Sequence, residues 1–226
     1  RSTPLYSSAA ADVYKRQLQA LLKQDKKSEA YRGYAGLIKS YKALNDEDKQ
    51  KACALDAVAK ASFELLEDEY ASYEKISLKV SGNKLGRNLN EKLRLIDELQ
   101  TKYTQVLAIG QGDFGIAALY RIGTMYQHMA KALYESPCPK KLTEDQCFMY
   151  QGALQEKALP LEDKAIEAFD KTLVKAYDLG LYNEWLTKTQ EALVSYEPDR
   201  FPAVHKYELI ASEKVFEVPH LLTEVN

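Results

Sequence analysis

The chain has 226 residues, of which 46% are hydrophobic and 28% charged, enough for one or two domains with a true core. A net charge of −2 and a sequence pI near 6.0 exclude the basic field that nucleic acid or an anionic membrane surface would need. No apolar run approaches the roughly 20 residues of a membrane span, and the 10 glycines and 7 prolines, mostly between periodic segments, predict long helices joined by few turns.

Residues 1–17 end in SSAAADVYKRQ, which resembles translated sequencing-adapter sequence. They are read as a non-native tail without fold information. Residues 18–198 are read as a helical-repeat domain, with long helices over 18–80 and a repeat-like part over 88–198. Residues 199–226 lose periodicity and are read as irregular and truncated.

Within the first part, Ala30, Tyr31, Tyr34, Ala35, Ile38, Tyr41 and Leu44 recur at three and four and predict a helix over 27–44. Asn45 suits an N-cap, with Asp46, Glu47 and Asp48 complementing the helix dipole behind it. Ala52, Leu55, Ala59, Phe63, Leu66, Tyr70 and Tyr73 then mark one face of a helix that nothing interrupts before Gly82. Glu67, Asp68 and Glu69 read as its solvated side, and Cys53 as a small buried side chain. The 16 tyrosines mostly keep helical spacing, which suits seams where the ring packs and the hydroxyl stays wet. Tyr31, Tyr34 and Tyr120 are the candidate partner contacts, because aromatic residues dominate interface hot spots.

Ser81–Asn88, with two glycines, is read as a turn. Leu93, Ile96, Leu99, Tyr103, Val106 and Leu107 predict a helix over 89–109. Gly110-Gln-Gly-Asp-Phe-Gly115 matches the G-x-G-x-x-G pattern of phosphate-binding turns, in which backbone amides at a helix N-terminus cradle a pyrophosphate. The apolar run before it continues a helical period rather than a strand, so a tight turn between paired helices is the simpler reading.

Two stretches organise the rest. In Leu119–Tyr126, Leu119, Ile122, Gly123 and Tyr126 share one helix face. A mid-helix glycine costs about 1 kcal/mol relative to alanine and is explained where a neighbouring helix comes close. In Ala165–Leu173, Ala165, Phe169 and Leu173 line the corresponding face. Between the stretches, Pro137 and Pro139 end one helix, Thr143 to Gln146 form a capping box, and Pro160 is expected to kink or restart the next. Gly180 is a C′ residue, and Leu181 to Tyr196 form a last helix ended by Pro198. Cys138, between two prolines, and Cys147, after the cap, can be a bridge or two thiols; no further ligand sits at zinc-finger spacing. His128, His205 and His220 show no metal-ligand spacing, and no catalytic motif is present. No cofactor or metal is expected.

Both stretches resemble the tetratricopeptide pattern of large–large–small–Tyr on one helix and Ala–Phe–Ala on the next. Thr172 stands where that family prefers alanine, and the two halves lie about thirty residues further apart than the roughly 34-residue repeat allows. The resemblance implies an all-α fold, antiparallel helix pairs stacked as a short tetratricopeptide-like α-solenoid. More narrowly, Tyr103 to Pro202 is similar to the C-terminal part of cell-envelope tetratricopeptide-like proteins of gliding and predatory delta-class bacteria. Ala117–Tyr126, Pro137–Tyr150, Ala158–Ala165, Tyr182–Trp185, Ala192 and Pro198 carry that likeness. It implies a non-enzymatic scaffold in the periplasm or cell envelope, part of a motility or secretion type of assembly with a protein or peptide partner. It also favours the bridge between Cys138 and Cys147, since disulfides persist in oxidising compartments. The alternatives are a nucleotide-binding enzyme using the Gly110–Gly115 loop and a structural spacer of a larger chain.

Overall fold

The structure, a computed structural model, describes residues 8–202, with side chains from Val13 onward. Helices α1 (Ser8–Lys23), α2 (Lys27–Lys42), α3 (Asp46–Lys49), α4 (Ala52–Lys75), α5 (Asn83–Ala108), α6 (Gly112–Tyr134), α7 (Glu144–Asp178) and α8 (Glu184–Tyr196) follow in order. No strand occurs among the described residues. The fold is all-α, antiparallel helix pairs stacked in sequence order into an α-solenoid-like array. Each of the long helices packs on the next: α2 on α4, α4 on α5, α5 on α6, α6 on α7 and α7 on α8. Helix α6 sits at the centre, touching α4, α5, α7 and α8.

Hydrophobic burial is divided between two main clusters, and α4 contributes to both. Its first half closes one with α1 and α2, where Leu18, Ala30, Tyr34, Leu37, Ala54 and Ala61 are buried. Its second half enters the larger one, from Phe63 and Tyr73 through Leu99, Tyr103 and Met125 to Phe169 and Leu193. The small residues of α4 explain the first arrangement. Ala54, Ala57 and Ala61 carry so little side chain that α2 can lie close, and all three are fully buried.

The helix ends are set by local chemistry. Asn45 accepts the Asp48 amide at 2.8 Å, but the helix it caps is a single turn that buries nothing. The chain reverses direction through it and restarts at Ala52, so the expected uninterrupted helix is corrected to two. Thr143 and Gln146 form the reciprocal capping box, at 3.3 and 3.1 Å. At the far end of α7 the Leu181 amide reaches Ala176 O and the Gly180 amide reaches Tyr177 O. Gly180 takes the left-handed conformation, φ +63°, the arrangement of a Schellman cap.

Four further expectations change. Helix α1 begins at Ser8 and crosses the boundary drawn at residue 17, and Tyr14 packs on the second cluster. Within that stretch, Tyr14 therefore contributes to the fold. Helix α5 starts at Asn83: the connection from α4 spans residues 76–82 and closes at the left-handed Gly82, φ +64°, and Leu85 and Leu89 already reach the core. Pro160 neither ends nor restarts α7, which runs for 35 residues. Pro160 and Glu156, whose carbonyl loses its amide partner there, are both exposed, a setting in which a missing helix bond costs least. Cys53 is half-buried rather than buried. The irregular segment expected over 199–226 lies, from residue 203 on, outside the described residues.

Cys138 and Cys147 are joined by a disulfide, with Cα atoms 5.7 Å apart, inside the usual range for a bridge. It pins the proline-rich loop before α7 onto the first turns of that helix. Thiol titration of the denatured, unreduced chain is expected to find one thiol, that of Cys53. Cys138→Ser with Cys147→Ser should lower the unfolding free energy by about 2.5–3 kcal/mol, the closure entropy of a loop this short, in urea titration of the two proteins.

Candidate functional site

The two signature stretches meet. A Cβ built on Gly123 would lie 2.5 Å from Phe169 Cε1 and 2.7 Å from Cδ1, so the Phe169 ring occupies the volume a side chain at 123 would need. Ala165 and Phe169 are completely buried on the α7 side, and Leu173 is half-buried against the same seam. Thr172, also completely buried, satisfies its hydroxyl by donating to Ala168 O at 2.7 Å. A threonine thus fits where the pattern prefers alanine. The extra residues between the stretches are the end of α6, the bridged loop and the first half of α7.

Gly123 faces the seam, and Leu119, Ile122 and Tyr126, all buried, leave their small remaining surface at the floor of a groove of about 370 Å³. One wall is α5, with Asp97, Gln100 and Thr104; the other is α7, with Lys164, Glu167 and Lys171. Ala168 completes the floor. The walls are held in place: Tyr126 donates its hydroxyl to Gln100 Oε1 at 2.6 Å, Lys164 Nζ lies 5.2 Å from the Tyr126 ring, and Lys171 pairs with Glu167. An apolar floor between walls of mixed charge offers side-chain burial below and polar contacts at the rim.

A second cluster lies at the other end of α5. Lys92 is completely buried. Its ammonium donates to Tyr73 O at 2.8 Å, meets His128 Nδ1 at 3.0 Å and stands 3.8 Å from the Tyr73 ring centroid. Tyr73 in turn donates to Met125 O at 2.7 Å. The cation thus binds a carbonyl in the last turn of α4, where helix dipoles favour positive charge. Burial holds the Lys92 pKa down to about 8, and burial with the Lys92 charge lowers that of His128. His128 also lines a cavity of about 250 Å³ beside Glu74, Lys79, Lys131 and Glu135.

A third network joins α4, α5, α6 and α8. Glu67 accepts Arg121 Nε at 2.9 Å, a second Arg121 nitrogen, and the Tyr103 hydroxyl at 3.1 Å. The Arg121 guanidinium lies 4.5 Å from the Tyr70 ring centroid and 5.4 Å from that of Trp185. Glu67 is therefore an inter-helix anchor and not part of a solvated face. Glu69 does keep a half-exposed pair, with Lys102.

Of the candidate partner tyrosines, one is corrected. Tyr34 is completely buried and unable to touch a partner. Tyr120 is half-buried, its ring 5.7 Å from Phe169 and 5.6 Å from Trp185. Tyr31 is half-buried against the second cluster. Helical period alone does not say how wide the buried stripe is, and at Tyr34 it extends to the whole side chain. In the glycine-rich loop each glycine has a packing or turn role. Gly110 is left-handed at φ +82°, Gly112 lies against Leu181 and Gly115 against Leu107. The Phe114 amide is already held by Gln111 Oε1 at 2.8 Å, and Asp113 accepts Asn183 Nδ2 at 2.8 Å. The loop is a capped helix start, with Leu181 and Asn183 packed against it. Among the described residues no group of three or more His, Cys, Asp or Glu is placed to hold a metal.

Lys92 and Glu67 carry a signal that sequence reading passed over. Leu85, Leu89, Lys92, Ile96, Leu99, Tyr103 and Val106 follow an unbroken 4-3 spacing, so Lys92 occupies a core position. Glu67 stands four residues after Phe63 and three before Tyr70, on the edge of the buried stripe.

Two outcomes are expected. Gly123→Leu should destabilise the fold by about 1–3 kcal/mol through overpacking, although leucine is the better helix former, and Phe169→Ala in the same chain should recover part of that loss in a double-mutant cycle by urea unfolding. The second concerns pH. Lys92 releases its proton near pH 8 when folded and near 10.5 when unfolded, so the unfolded chain binds more protons in that window and stability rises with pH across it. His128 is shifted in the same direction from 6.5, so stability falls as pH drops below that value. Lys92→Met should flatten the upper slope of the unfolding free energy against pH and His128→Gln the lower one, measured against wild type.

Comparisons with family models, curated proteins and solved structures find no match for this chain.

Proposed function

We propose that the chain is a non-enzymatic interaction scaffold whose α5–α6–α7 groove receives a protein or peptide segment. The observation that carries this reading is the division of labour on α6. Gly123 is given to the inter-helix seam, and the three larger signature residues on the same helix, buried in the core for most of their surface, keep the remainder at the floor of a groove. Stacked helix pairs offer such extended surfaces because each pair contacts only its neighbours, leaving a continuous face along the array. Mixed charge on the rim suits a segment with both acidic and basic side chains, and Leu119, Ile122 and Tyr126 suit one or two apolar anchors between them.

The setting proposed is a bacterial envelope assembly of the motility or secretion type, as the resemblance of residues 103–202 implies. The Cys138–Cys147 bridge supports an oxidising compartment. No helix among the described residues is long and apolar enough to cross a membrane.

The test is selection of a random peptide library on the immobilised chain, followed by affinity measurement on purified variants. Selected peptides are expected to lose at least tenfold in affinity for Asp97→Lys and for Lys171→Glu, both on the exposed rim, and to bind Arg94→Glu, outside the groove, as wild type. Peptides that bind all three variants equally, or a library that yields no binder, would overturn the reading.

A further inference from the structure

The first half of α7 presents a face that nothing among the described residues covers. No residue of α7 before Ala158 is buried. Leu154 packs against the main cluster and Tyr150, one turn earlier, is half-buried, so that side of the helix faces the body of the protein. The opposite side carries Phe148, Gly152 and Leu159, at i, i+4 and i+11, with Met149 beside them. Phe148 is 80% exposed, Met149 73% and Leu159 56%. A Cβ built on Gly152 meets nothing within 4 Å.

That combination has a counterpart inside the molecule. In the α6–α7 seam a phenylalanine ring from one helix fills the space above a glycine on the other. On the outer face of α7 both halves of the same contact are present, one turn apart and neither used. Gly36 and Gly86 are equally open, but neither has a large exposed apolar side chain one turn away. A mid-helix glycine is unfavourable, and here no neighbour in the chain requires it.

We propose that this face is a homodimer interface, in which two copies cross their α7 arms antiparallel about a two-fold axis level with Tyr150. Phe148 of each copy then seats on Gly152 of the other. A two-fold pairing demands such reciprocity: the residue that acts as knob on one copy must meet, on the other, a hole lying at the reflected position. The charges agree with a second copy as the occupant. Residues 140–157 carry three cations, Lys140, Lys141 and Lys157, and three anions, Glu144, Asp145 and Glu156, so two arms do not repel as a whole. The face lies away from the α5–α6–α7 groove, and the inference does not rest on the function proposed for it.

Sedimentation equilibrium of the full chain at micromolar to hundred-micromolar concentration tests this. Wild type is expected to dimerise. Gly152→Leu fills the hole and Phe148→Ser removes the knob, and each is expected to weaken the dimer at least tenfold, with helical circular dichroism unchanged. Because leucine favours the helix, loss of the dimer in Gly152→Leu cannot come from a weakened α7. A monomeric wild type throughout the range, including the case where the arm serves a different protein, would overturn the proposal. So would a dimer that survives both substitutions.

Discussion

The contact between Gly123 and Phe169 sets how closely α6 and α7 approach, and the remaining packing follows from that distance. With no side chain at 123, the ring of Phe169 reaches the α6 surface and is completely buried there. Tyr120 and Trp185 then stack beside it, and Phe63 from α4 closes on Trp185 at 5.6 Å. Aromatic groups contributed by α4, α6, α7 and α8 thus meet around one point, in tilted and edge-on geometries that such rings prefer. A wider seam would leave the ring beside a void, with the loss of dispersion contacts that voids entail.

Polar groups complete what the apolar contact begins. The Glu67–Arg121 pair and the Lys92 ammonium each join three helices, and each is charged at a place where burial is unfavourable. They are tolerated because their bonding capacity is used. Glu67 takes both Arg121 and Tyr103, and Lys92 takes a carbonyl, an imidazole nitrogen and a ring face. Such groups fix relative rotation and register in a way that alkyl side chains do not, since a shift of one residue would leave a buried charge without partners.

Much of the architecture was legible in the sequence because helical period and cap chemistry are local properties. Asn45, Thr143, Gly180 and the Gly123 seam are all read from residues within one or two turns of each other. What was not legible depends on residues far apart in the chain. Tyr34 and a solvent-facing tyrosine have the same spacing, and only the approach of α4 to α2 buries the one. Glu67 meets Arg121 across 54 positions, a pairing that no local pattern encodes. The α3 break arises from the need to reverse direction within a few residues, and period does not reveal that need. For the groove, the floor residues were legible as a signature, whereas the walls come from α5 and from a face of α7 outside the signature.

The length of α7 gives the Cys138–Cys147 bridge a meaning beyond stability. Helix α7 has fully buried residues only from Ala158 onward; before that point its contact with the body is the partly buried Leu154, and the loop stapled to its first turns adds to that hold. Cutting the staple would leave the core contacts in place and loosen only the part that projects. Thiol chemistry in the surroundings would thereby set how firmly that one end of α7 is held, while the body keeps its shape.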